Sequence, residues 1–457
     1  MSHYPVPNKI LTCKRMIGEH TDLPTRFRRA VIRDTVTMKS LTLALLVLLS
    51  INCAASDVGR RFPSEKHTIV DRVTGQMITV LTSSQYSDYK PYPTHDTWTA
   101  DGNWIVFRSN RAGDGSQLFV VNEQTGDIVQ LTDYPGVQSP NLSRKEMKLF
   151  YIRQQQGASQ EGSREVIELN LGDLLSDSMS DQVKNPDKYE RKVASLPAEK
   201  RGGELAVDVD ETYLYWGNIL HIPETRVERP QNPTTNDPLE QSKFRDAMRV
   251  YFESAGQGTS EINKINIKTG KIDKVIEFAF RMGHLQANPW KAGEIFYCNE
   301  TGGDAEQRIW SVNADGTGNR PIYEETPDEW VTHETMSAPD EMMFILSGNS
   351  LHLRKKATGI AVINLRNDEM QLLDQVKEVY WHCNGSPDGR WAVGDTEKGN
   401  IYIISRSTGE RIELTAGHPM RPDHAHPIFS RDSKRVLIQS GLLTDGKNLH
   451  LMVVNVP

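Results

Sequence analysis

Residues 97–132, TWTADGNWIVFRSNRAGDGSQLFVVNEQTGDIVQLT, carry apolar and β-branched side chains in short runs cut by Gly, Asp and Asn. The pattern predicts a short strand, a turn at Asp101-Gly102, a strand IVF, a loop, a strand LFVV, a turn at Thr125-Gly126 and a strand IVQLT. The same order returns in GSPDGRWAVGDTEKGNIYIISRSTGERIELT (385–415) and in FSRDSKRVLIQSGLLTDGKNLHLMVVNV (429–456). Four further stretches complete seven units, with the turn after the first strand near residues 101, 145, 210, 291, 340, 388 and 432.

Four of the six spacings, 44 to 49 residues, match one four-stranded blade, and the other two, 65 and 81 residues, carry insertions. The predicted fold class is therefore all-β, a seven-bladed β-propeller of four-stranded blades spanning residues 66–457. The last unit stops after its third strand, and TIVDRVTGQMITVLT (68–82) precedes the first unit. That N-terminal segment is expected to supply the missing outer strand and close the ring.

The larger insertion, about 217–260, lies between strands two and three of blade three, on the face where first strands enter the channel. Within it DPLEQSKFRDAMRVYFESAGQG reads as helical, with Phe244, Met248 and Tyr251 at near-helical spacing. A lid, a substrate wall or a structural clip all suit it. The smaller insertion, near 172–188, belongs on the opposite face.

Composition changes this picture little. Charged residues are 25% and apolar residues 37% of the chain, as in ordinary globular proteins. There is no basic excess to suggest a nucleic-acid partner. MKSLTLALLVLLSINCAAS (38–56) reads as a secretory signal: a Lys, a short apolar run, then small residues. The run is too short for a membrane span. We expect Met38 to be the initiator, residues 1–37 an upstream mis-start, 38–55 the signal peptide, and the protein periplasmic or secreted. A lipid anchor at Cys53 is the alternative, which Asn52 fits poorly. Residues 1–55 hold eight Lys/Arg and three Asp/Glu, so the net charge of −7 becomes −12 without them. The remaining Cys298 and Cys383 do not make a disulfide framework and read as free thiols.

Candidate chemistry follows from the repeat. First strands line the channel, so residues just before each first turn converge. These positions hold His95, Ser139, Glu204, His284, His333, His382, His424 and His426, six of the chain's 13 histidines. Chance would place about one there, although a wet channel edge also tolerates polar residues. His424 and His426 are two apart, so on a strand both imidazoles face one side. With His333 they could meet on one ion, and three histidines with open positions suit a catalytic metal. His382 and His95 would support that site or touch substrate.

MGHLQANP, VTHETMSAPD and HAHPIFSRDSKRVL, in this order on successive blades, resemble the oligogalacturonate lyases. NADGTGNRPIY and HCNGSPDGRWAVGD add to the likeness, which is clearest in blades four to seven. The resemblance implies a seven-bladed propeller that cleaves short pectic uronides by β-elimination, with Mn2+ as the usual ion. It implies metal ligands at His333, His424 and His426, and the general base at His284. The family has a glutamine ligand three residues before the first histidine of the pair, where this chain has Arg421. A charged arginine cannot ligate a cation, but it can grip a substrate carboxylate.

The expected partner is thus an acidic oligosaccharide, contacted by Arg421, His382 and His95. A neutral histidine can take the proton on C-5, and a nearby cation is expected to keep it neutral. The blade-three stretch GTSEINKINI departs from the family, which keeps lyases on ulvan, alginate or glucuronan in view. The SPDG blade sentence also resembles TolB-like periplasmic propellers, which bind protein partners and catalyse nothing.

Overall fold

The computed structural model describes residues 56–457 apart from 114, 135, 156–162, 225–226, 232, 236, 302–306, 327–328, 349–355 and 377. The signal-peptide, lipid-anchor and mis-start readings fall on residues outside this set. Seven antiparallel sheets follow one another around a ring, each ordered from an inner strand outward. The inner strands are Asp88–Tyr89, Gln138–Leu142, Arg201–Val207, Met282–Ala287, Trp330–Ala338, Tyr380–Gly385 and Ile428–Phe429. The propeller is as expected, with two refinements at its seam.

The seam joins the two ends of the propeller. Met77–Val80 pairs with His450–Asn455 as the fourth strand of blade seven, and His67–Val70 adds a fifth. Arg61–Phe62 then pairs with Ile128–Gln130 and makes blade one five-stranded as well. The N-terminal segment thus serves two blades rather than one. A side chain at Gly126 would collide with Ser64 of this segment, and its φ of +80° suits glycine.

Strand periodicity explains why the blades stack. In Trp104–Ser109, Trp104 and Val106 face blade two, whereas Ile105 and Phe107 face blade seven. Both faces are covered, so the strand is apolar at consecutive positions rather than alternating with water. Seven apolar clusters among the described residues each bridge one pair of neighbouring blades. The cluster of Ile105, Phe107 and Phe119 with Leu437 and Leu451 joins blade one to blade seven and closes the ring.

Two helices sit outside the blades. Helix α1, Leu171–Met179, is capped by Asn170, whose Oδ1 accepts from Asp173 N at 3.0 Å. Ser178 Oγ donates to Gly59 O at 2.7 Å, so α1 holds down the N-terminal segment. Helix α2, Pro238–Ala255, fills the blade-three insertion, between strands Tyr213–His221 and Thr259–Asn266. Asp237 caps it and Pro238 opens it. It buries Met248 and Phe252, while Phe244 and Tyr251 are half-buried. Just after α2, Gly256 O accepts from Arg281 N at 2.8 Å, beside the inner strand of blade four. The insertion therefore ends next to the strand that carries His284. No helix among the described residues is long and apolar enough to cross a membrane.

Candidate active site and metal centre

The inner strands share a local distortion. Ser139, His284, His333 and His426 all have left-handed backbones, with φ of 51°, 52°, 55° and 49°. In blades two, four and five the pairing register shifts at this point, and Gly202 has φ +110° at the matching shift in blade three. A non-glycine residue in this region costs about 1–3 kcal/mol and persists only where its surroundings enforce it. Such shifts re-aim a side chain. The repeat therefore places a set of re-aimed residues around the channel, and three of them are histidines.

His382 lies at the centre of the histidine group. Its ring centroid is 4.2 Å from His333, 3.9 Å from His426 and 5.3 Å from His424. His424 and His426 are stacked at 6.1 Å, but both precede the strand Ile428–Phe429 and His426 has a left-handed backbone, so a loop and not strand alternation sets their arrangement. Trp381 flanks the group, 5.4 Å from His333 and 5.3 Å from His424. Tyr92 closes it from blade one, 4.8 Å from His284, 5.3 Å from His426 and 5.9 Å from His382.

Hydrogen bonds orient these rings. His333 Nδ1 is bonded to Trp381 O, which leaves Nε2 available. Nδ1 of His382 lies 3.2 Å from both carboxylate oxygens of fully buried Asp395. The same carboxylate accepts from His382 N at 2.6 Å and His426 N at 3.2 Å. Nε2 of Gln439 donates to His424 O at 3.0 Å and lies 3.0 Å from His426 Nδ1. His424 Nδ1 is buried with no hydrogen-bond partner. Burial pushes His333 down to about 3 and His382 and His426 well below the ordinary histidine value, and it also lowers His424. The imidazoles are therefore neutral at pH 7, with lone pairs free for a metal.

A ligand atom from each of His382, Asp395 and His424 lies within 4.8 Å of the others. Neutral imidazoles fixed from behind are the donor set of a transition-metal site, so these residues fit an ion. His284, Cys298 and Glu334 form a second such group. It shares its space with a cation already, because Arg308 Nε donates to Glu334 Oε2 at 3.0 Å.

His284 stands beside the histidine group, 6.4 Å from His333. Its Nδ1 is 3.0 Å from Glu334 Oε1 and its Nε2 is 3.7 Å from Glu300 Oε2. Burial works to lower its pKa, but Glu334 and then Glu300 outweigh it and raise the value above the histidine norm. Burial opposes charge on Glu334 too, yet Arg308 and His284 hold its carboxyl well below the usual range. Carboxylates, not a neighbouring cation, thus dominate the surroundings of His284.

The remaining expected residues are spread out. His95 lines a cleft with Asn141, Arg144, Asp208, Glu211 and Pro289, at the far ends of the inner strands of blades two to four. Burial lowers it to about 4. Arg421 is exposed, whereas His424 and His426 are half-buried. Glu204 Oε2 accepts from Leu285 N at 2.8 Å and supports the backbone next to His284.

No family model matches the chain. It is 21% identical to oligogalacturonate lyase of Dickeya dadantii over 418 residues, 85% of this chain and 96% of that one. Oligogalacturonide lyase of Pectobacterium atrosepticum matches with the same identity and coverage. The chain is a homologue of the oligogalacturonate lyases. A solved oligogalacturonate lyase in complex with manganese superposes with a TM-score of 0.67 at 21% identity, covering 88% of this chain and 98% of that one. The oligogalacturonate lyase structure from Vibrio parahaemolyticus gives 0.67 at 20% identity, covering 88% and 99%. The homologue described here is thus a lyase-like β-propeller with residue groups suited to a metal ion.

Sequence reasoning missed Glu334, Arg308, Asp395 and Tyr92. Glu334 directly follows His333 in THET, and its charge was the available signal. Asp395 pairs with His382 in the strand register, so counting across the blade-six hairpin would have found it. Tyr92 was hidden because KPYPTHDT departs from the offset of the other blades.

Proposed function

We propose that this protein is a metal-dependent lyase that cleaves oligouronides, foremost oligogalacturonides, by β-elimination, leaving a 4,5-unsaturated uronate end. The observation that carries it is one channel mouth holding a buried, carboxylate-flanked histidine beside four neutral imidazoles. The homologues are lyases of this substrate class, and one was solved with manganese.

In this reading His333, His424 and His426 hold a divalent ion, with Mn2+ the expected one. When bound, it supplies a Lewis acid for the uronate carboxylate. His284 takes the C-5 proton through Nε2 while Glu334 holds Nδ1. Arg308 keeps Glu334 ionised, so Glu334 stabilises the imidazolium that forms. Arg421, at the exposed edge, takes a second substrate carboxylate. His95, in its separate cleft, is assigned to a more distant part of the substrate. Export through the signal at residues 38–55 would put the enzyme in the periplasm or outside the cell.

The test is a screen of oligouronides of galacturonate, glucuronate, guluronate and mannuronate, with and without EDTA, followed by ultraviolet absorbance of the unsaturated product. Turnover on galacturonides that EDTA abolishes and Mn2+ restores is expected. Turnover confined to another uronide moves the substrate assignment. A protein that binds no transition metal and is inert with Mn2+ would be a binding propeller instead.

A further inference from the structure

We infer that His382, backed by Asp395, is a fourth imidazole ligand of the metal centre and fills the coordination position that Arg421 cannot. This rests on the metal-dependent reading above and extends it to a residue first expected to touch substrate.

The geometry points to this in three ways. First, His382 and not His333 is the ring that joins the group, with centroids of 4.2 and 3.9 Å to His333 and His426. Rings this close leave no room for a sugar between them, so His382 sits within the histidine group and not on a substrate-facing wall. Second, Nδ1 of His382 is committed to Asp395 at 3.2 Å, so Nε2 is its free donor. A carboxylate behind an imidazole is the usual support of a ligating histidine, since it sets the tautomer and raises donor strength. Asp395 also accepts from two backbone N–H groups, which fixes it in that supporting place. Third, His424 belongs to the same group, with one ligand atom within 4.8 Å of those of His382 and Asp395, and its Nδ1 is buried without a hydrogen-bond partner. A buried polar atom left unpaired costs about 1–3 kcal/mol, which an ion shared with His382 would offset.

The substitution at Arg421 gains a physical meaning from this. A glutamine there supplies a neutral oxygen donor, and arginine supplies none. A fourth imidazole on the neighbouring blade makes that donor dispensable and frees position 421 for a cation.

The experiment measures Mn2+ binding to the full chain after metal removal, without substrate. Pulsed EPR of the Mn2+-loaded wild type is expected to count four histidine nitrogens, and His382→Ala three. His382→Ala and Asp395→Asn should each weaken Mn2+ binding by about 10–100-fold. Adding Arg421→Gln to His382→Ala should restore most of that loss, while Arg421→Gln alone changes affinity little. The wild-type nitrogen count needs no variant, so it decides even where His382→Ala misfolds. A count of three in wild type, or His382→Ala affinity within twofold of it, overturns the inference while His333→Ala still abolishes binding. Wild-type affinity in His333→Ala, or no Mn2+ on wild type, overturns the metal-dependent reading itself.

Discussion

Nδ1 of His284 lies 3.0 Å from Oε1 of Glu334, a carboxylate with no exposed surface. Burial opposes charge on His284, and Glu334 and Glu300 prevail, so its pKa stands above the ordinary value. A base must be neutral to act, so kcat/KM should rise with pH through a value above about 6.5. Glu334→Gln should move this acidic limb to lower pH. A limb that stays in place would mean that Glu334 does not control the base. The stability sign is opposite: the charged form favours the fold below about pH 6.5, and that contribution is lost as pH rises through the raised value.

Removing the base isolates its role. His284→Ala should lower kcat by about 10²–10⁴-fold, the range typical of general-base catalysis. Mn2+ affinity, read by titration calorimetry, should remain that of the wild type. Full turnover in this variant would remove His284 from the reaction.

Arg308 is buried between two acids, with Nε 3.0 Å from Glu334 and Nη2 3.5 Å from Glu300. Arg308→Met leaves those charges buried and unmatched. Breaking a buried pair from one side costs about 3–5 kcal/mol. Urea unfolding should show a lower midpoint, and an unchanged midpoint would count against the network.

Arg421 is exposed beside the histidine pair. A hydrogen bond to a charged group is worth about 1.5–3 kcal/mol, so Arg421→Ala should raise KM about tenfold or more, with kcat far less affected. Equal KM values for wild type and variant would leave Arg421 without a substrate contact.

Ring closure depends on the N-terminal strands. Ile78 is fully buried against blade six and pairs with Val454, whereas Val70 is 56% exposed. Ile78→Ala should cost about 2–5 kcal/mol. Val70→Ala should stay within about 0.5 kcal/mol. Comparable melting points for the two variants would mean that the seam does not limit stability.

The chain's own order of residues determined the architecture. Strand runs and Gly or Asp turns recur at 44–49 residues, and that spacing sets seven blades and puts the histidine-bearing positions at one channel. The i, i+2 spacing of His424 and His426 reads as strand alternation, whereas the folded chain holds both in the loop before Ile428–Phe429, with His426 at φ 49°. Folding in three dimensions decided the rest. His382 became the hub of the group because the pairing of Tyr380–Gly385 with Trp391–Thr396 sets Asp395 behind it. His95 lines a cleft with Asn141 and Asp208 rather than the histidine group, yet lies within electrostatic reach of His284. The charge state of His284 depends on Glu334, from the inner strand of blade five, and on Glu300 and Arg308, from the segment between strands two and three of its own blade. Electrostatics and burial act through space across blade boundaries, so no periodicity along the chain encodes them.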